Sequence, residues 1–123
     1  MDNVYKLIRS FKYAFQGLRS GFRTQLNFRV QCGLAVVAIA GGLVLNITKN
    51  EWLWISLSVA LVLFAELMNT ALEAMVDLVS PQYNELAGRI KDIAAAAVTI
   101  LAANALITAA IIFVPLIIHL LRP

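Results

Sequence analysis

Hydrophobic and polar residues alternate in two different ways along this chain. Near the N-terminus, Val4, Leu7, Phe11, Phe15, Leu18 and Phe22 recur at steps of three and four, with Lys6, Arg9, Lys12, Arg19 and Arg23 between them. That spacing predicts an amphipathic helix over 1–25, apolar on one side and basic on the other. From Phe28 onward the apolar runs become nearly continuous and predict three further helices, over 28–47, 52–79 and 86–121, each long enough to contain a membrane span. Gly33, Gly41 and Gly42 offer flat packing surfaces in the first of these. Asn46 to Asn50 reads as a polar turn, Trp52 and Trp54 as interfacial anchors, and Ser80-Pro81 as the stop of the second span. The expected fold is an all-α integral membrane protein, with three transmembrane helices and an N-terminal interfacial helix in a single domain, 1–123.

Composition narrows the class. Of 123 residues, 61% are hydrophobic and only 14% charged, whereas a soluble domain is about one-quarter charged. A soluble chain of this length could not bury so much apolar surface. Residues 1–25 have no continuous apolar core after the first charges, so a signal peptide is not expected. The lone Cys32 has no disulfide partner and reads as a small core residue. Six of the ten Lys/Arg precede residue 30. Such a basic segment suits anionic head groups and a cytoplasmic N-terminus rather than nucleic acid. Three spans then place Asn46–Glu51 outside and Asp77–Asp92 inside.

Candidate chemistry lies at the inner end of the second span. Glu66, Asn69, Glu73 and Asp77 are spaced three, four and four, which puts three carboxylates and an amide along one helix face. Counting ~20 residues from Trp52 reaches the membrane boundary near Leu72. Glu66 then lies about 9 Å deeper, at ~1.5 Å per residue. An ionised carboxylate there costs several kcal/mol unless paired or hydrated, which marks it as a functional candidate. A polar packing seam, with Asn69 and Thr70 bonding across helices, is the structural alternative. Glu73 and Asp77 suit Mg²⁺, while Lys91 and Arg89 suit phosphates. A buried base, a metal-binding acid and a phosphate-binding lysine together suit phosphoryl transfer to a lipid hydroxyl. A proton or cation channel and a structural membrane subunit are the competing readings.

The segment Glu66-Leu-Met-Asn-Thr-Ala-Leu-Glu-Ala-Met-Val-Asp77, followed by Glu85-Leu-Ala-Gly-Arg-Ile-Lys-Asp92, resembles the prokaryotic diacylglycerol kinase family, which includes undecaprenol kinases. Gly17-Leu18-Arg19 and Asn27-Phe28-Arg29 extend the resemblance across nearly the whole chain. It implies a homotrimer in the bacterial inner membrane with active sites shared between subunits. It also implies transfer of the γ-phosphate of Mg-ATP to a lipid alcohol. Glu66 would be the general base, supported by Asn69, and Glu73 a metal ligand. Lys6, Tyr13, Asp77, Gln82, Tyr83, Asn84, Lys91 and Asp92 would meet the nucleotide. One departure stands out: the family usually has a metal-binding Glu where this chain has Gln25, which weakens the expected Mg²⁺ site. Asn69-Thr70-Ala71, Val76-Asp77-Leu78 and Ala94–Ala97 resemble the undecaprenol branch, and Glu85–Arg89 the diacylglycerol branch.

Overall fold

The computed structural model describes residues 1–122, so Pro123, the last residue of the expected domain, lies outside the described residues. Four helices follow in order: α1 (Asp2–Thr24), α2 (Leu26–Val44), α3 (Lys49–Val79) and α4 (Glu85–Leu121). There is no strand among the described residues. The last three helices are long and apolar enough to cross a membrane. The chain is an all-α membrane protein.

α3 is the spine. α4 packs most extensively against it and α2 less so, while α1 touches both α2 and α3. Ile55, Ser58, Val62, Ala65, Glu66 and Asn69 form its buried stripe at steps of three and four. Small or branched residues on α4, Ala94 and Val98, are buried as well. At one end of the bundle Ile47, Ile55 and Ile112 make an apolar core, joined by Trp52 and Phe113. Between that core and Glu66 the helices separate around an apolar cavity of about 480 Å³. Most remaining large apolar side chains are exposed, including Phe11, Phe15, Leu34, Val37, Ile100 and Leu106. That surface suits lipid rather than water.

The connections differ from the sequence expectation for local reasons. A two-residue break was expected between α1 and α2, but Gln25 alone, in extended conformation, makes the corner. Its N–H donates to the Gly21 carbonyl, and its own carbonyl receives the Arg29 N–H. α2 stops at Val44, three residues before the expected end. Asn46 adopts positive φ (52°), and the Ile47 N–H returns to the Gly42 carbonyl at 3.1 Å. This Schellman turn closes the helix and buries Ile47. Thr48 then caps α3 in a reciprocal box with Glu51, which starts that helix three residues earlier than expected. Asn84 caps α4 through the Leu86 and Ala87 N–H groups. Trp52, expected only as an interfacial anchor, lies against Gly42.

The glycines divide by what surrounds them. A Cβ on Gly42 would stand 2.7 Å from the Trp52 ring and 3.0 Å from Ile47, whereas one on Gly33 would meet nothing within 4 Å. Within one chain, Gly33 therefore packs against no other helix. Gly42→Ala is expected to destabilise the fold by about 1–3 kcal/mol through overpacking. Gly33→Ala is expected to be neutral or stabilising by up to ~1 kcal/mol through helix propensity. Unfolding titrations in detergent check both.

Candidate active site

α1 fixes where the site begins. Gly21 is buried, and its missing side chain lets Phe28 of α2 and Leu67 of α3 close in; a Cβ there would lie 2.9 Å from Leu67. The surface helix thus packs at the level of Leu67, one residue from Glu66. That contact gives a landmark for the depth of Glu66 beside the boundary counted to Leu72. An interfacial helix sits about 5–10 Å into the boundary between head groups and acyl chains, so Glu66 shares that layer. α3 continues for twelve residues beyond Leu67, about 18 Å at 1.5 Å per residue.

Along this end of α3 the three carboxylates each have a different partner. Glu66 is 2% exposed, and Gln31 Nε2 of α2 donates to its Oε2 at 3.1 Å. No cation pairs with it among the described residues. Glu73 is half-buried and receives a hydrogen bond from Asn69 Nδ2 at 3.3 Å. Asp77 is exposed and pairs with Lys91 of α4 at 2.5 Å. The rises between them are about 10 Å and 6 Å along the axis.

Asn69 and Thr70 do not bond across helices. Asn69 serves Glu73 on its own helix, and Thr70 Oγ1 donates back to the Glu66 carbonyl at 2.9 Å. The packing-seam alternative loses its bonds. A channel is poorly supported too, because the cavity beyond Glu66 is apolar apart from Gln31 and Ser58.

A second cavity, about 250 Å³, opens at the α3–α4 turn. Asp77, Gln82, Tyr83, Asn84 and Lys91 all line it, with Gly88 and Ala87 opposite. Five of the expected nucleotide residues are thereby brought together. Tyr83 is 94% exposed, and the Asn84 side chain is engaged in capping α4. Asp92 is exposed beside Lys91 and has no bonded partner among the described residues. Lys6 and Tyr13 line neither cavity. Tyr13 instead receives a hydrogen bond from Arg9 Nε at 2.9 Å, with the guanidinium 5.7 Å from its ring centre. Gln25 has no hydrogen bond to Glu73.

Among the described residues no group of three or more His, Cys, Asp or Glu is arranged to hold a metal. The oxygens at Glu73 nevertheless fit a hard cation. Asn69 Oδ1 is buried without a partner, and Glu73 uses only Oε1 in its bond to Asn69. Carboxylate and amide oxygens, completed by water and phosphate, are the donors Mg²⁺ takes. The three acids and the amide of the stripe were legible in the sequence. Gln31 was not singled out, although it is the only amide between Arg29 and Asn46 in an apolar helix. A polar side chain in that setting must find a partner inside the bundle.

Comparison with known proteins gives the family. The family model described as "Prokaryotic diacylglycerol kinase" matches residues 12–113. The diacylglycerol kinase of Haemophilus influenzae is 43% identical over 94 residues, covering 76% of this chain and 80% of that protein. The undecaprenol kinase of Bacillus subtilis is 33% identical over 114 residues, covering 93% of each. The diacylglycerol kinase of Escherichia coli K12 is 33% identical over 103 residues, 84% of each. The match runs from Lys12 in the surface helix to Phe113 in α4 and takes in every carboxylate of the stripe: this chain belongs to the prokaryotic diacylglycerol kinase family and is a membrane lipid kinase of the diacylglycerol/undecaprenol type.

Proposed function

We propose that the chain transfers the γ-phosphate of ATP to the hydroxyl of undecaprenol or diacylglycerol at the cytoplasmic face of the bacterial inner membrane. The observation that carries this reading is Glu66: a carboxylate sealed at the level of the surface helix, held by one neutral donor and free of any cation. Such a group can take a proton from a lipid hydroxyl at that depth. The hydroxyl oxygen bonds to the γ-phosphorus as the bond from that phosphorus to the bridging oxygen breaks. The proton passes to Glu66, ADP leaves, and the lipid carries the phosphate monoester. Lys91, paired with Asp77 at the α3–α4 turn, would hold phosphate oxygens. Glu73 and Asn69 would hold Mg²⁺, with Gln25 contributing an amide oxygen at most. Bound there, the ion would neutralise charge on the transferring phosphate. Lys6 and Tyr13 stand apart from the Asp77–Lys91 cavity within one chain; in a homotrimer with sites shared between copies, the surface helix of another copy would supply them. The basic α1 supports a cytoplasmic N-terminus.

Purified protein incubated with labelled Mg-ATP and, separately, diacylglycerol or undecaprenol tests the reaction and names the acceptor. Label is expected in at least one lipid, and Glu66→Gln is expected to lose at least about hundredfold in rate, the scale of a general base. No label in either lipid overturns the reading. Gln25→Glu should lower the Mg²⁺ concentration needed for half-maximal rate, because it adds a charge at a site short of one; an unchanged or higher requirement counts against this role. Lys91→Met should raise KM for ATP about tenfold or more, the scale of a lost bond to a charged group. The exposed pair with Asp77 stabilises the fold by at most ~1 kcal/mol, so thermal unfolding of this variant should hardly change.

A further inference from the structure

We infer that Gln31 is a positioning residue for Glu66: its amide holds one carboxylate oxygen so that the other remains for the acceptor hydroxyl. The inference rests on the reading of Glu66 as the base.

Four observations carry it. The contact links two helices, α2 and α3, at residues far apart in sequence, so the backbone fixes both ends of the bond. An ionised carboxylate only accepts hydrogen bonds, which requires the Gln31 NH₂ to face it. No other donor reaches the Glu66 carboxylate among the described residues, since the Thr70 hydroxyl bonds the backbone carbonyl instead. Finally, Gln31 lines the apolar cavity between α2, α3 and α4, whereas Glu66 does not. The amide therefore stands between that apolar space and the carboxylate.

The unmet half of the amide points the same way. Gln31 Oε1 is buried and has no partner. A side chain present only to fill space would carry no such orphan, because an apolar group of that size packs without one. What the amide supplies in exchange is the bond to Glu66. Removing it leaves the carboxylate free to turn about its side-chain torsions, and small misplacements of a reacting group lower rates by as much as about a hundredfold.

The test uses the full-length protein in lipid vesicles, with Mg-ATP and whichever lipid alcohol is labelled. Gln31→Met keeps the size and removes the bond. It is expected to lower kcat about tenfold or more, leaving KM for ATP and for the lipid within about twofold. It is also expected to shift the infrared carboxylate band of Glu66, identified by its loss in Glu66→Gln. If Gln31→Met does not insert, Gln31→Asn, one carbon too short to reach, takes its place with the same expected readouts. A kcat within about twofold of the wild type, or a lowered kcat with an unshifted band, overturns the inference. If Glu66→Gln is inactive and Gln31→Met is not, the inference alone fails. If Glu66→Gln still transfers phosphate, the reading of Glu66 fails and this inference with it.

Discussion

The carboxylate of Glu66 is the constraint around which the bundle is arranged. Its residue is 2% exposed in a chain whose outer surface is built for hydrocarbon. An ionised carboxylate in such a place costs several kcal/mol, and one hydrogen bond to a charged group offsets only about 1.5–3 kcal/mol of that. The Gln31 amide therefore cannot by itself account for the carboxylate being there. The rest of the molecule must hold α3 fixed with that carboxylate inside. Two clamps do so. At one end Ile47, Ile55, Ile112 and Trp52 pack into a core. At the other, Gly21 lets α1 close on Leu67 and Phe28. Between them the bundle stays open around the apolar cavity.

This arrangement explains what could and could not be read from the residues alone. The four helices follow from period and length, because hydrophobic spacing reports directly on which face meets lipid. The stripe from Glu66 to Asp77 follows from helical geometry, since all of its members lie on one element. Gln31 escaped notice because its meaning comes from a residue on another helix, and spacing within α2 says nothing of that. The end of α2 was misplaced for a similar reason. Ile47 is apolar and extends the run, but positive φ at Asn46 lets it fold back onto Gly42 as a turn residue. The depth of Glu66 has two landmarks that agree: the count from Trp52 puts it about 9 Å below the boundary, and an interfacial helix packed at Leu67 belongs about 5–10 Å below it.

The corner at Gln25 carries a second lesson. A single extended residue joins the surface helix to the first span, so the residue that the family resemblance marks as an expected metal ligand also makes the corner between two helices. Its backbone is used on both sides, donating to Gly21 and accepting from Arg29. Exchanging its amide for a carboxylate changes charge while leaving those backbone bonds in place. The fold thus uses the backbone of Gln25 on both sides and makes no hydrogen bond with its side chain among the described residues.

The three carboxylates also sort by the medium each one meets. Glu66 lies at the level of the interfacial helix, Glu73 is half-buried one and a half to two turns beyond it, and Asp77 is exposed in a pair with Lys91. A lipid alcohol approaches along the membrane and its hydroxyl cannot rise far above the acyl boundary. A nucleotide approaches from water and its phosphates cannot sink far below it. On the proposed reading, transfer between them would draw on groups spread along one axis, with Glu66 toward the lipid and Glu73 and Lys91 toward the nucleotide. A helix that crosses the interface and keeps going supplies that axis, at ~1.5 Å per residue. This accounts for why α3 runs twelve residues past Leu67, and why its polar residues begin where the surface helix packs against it.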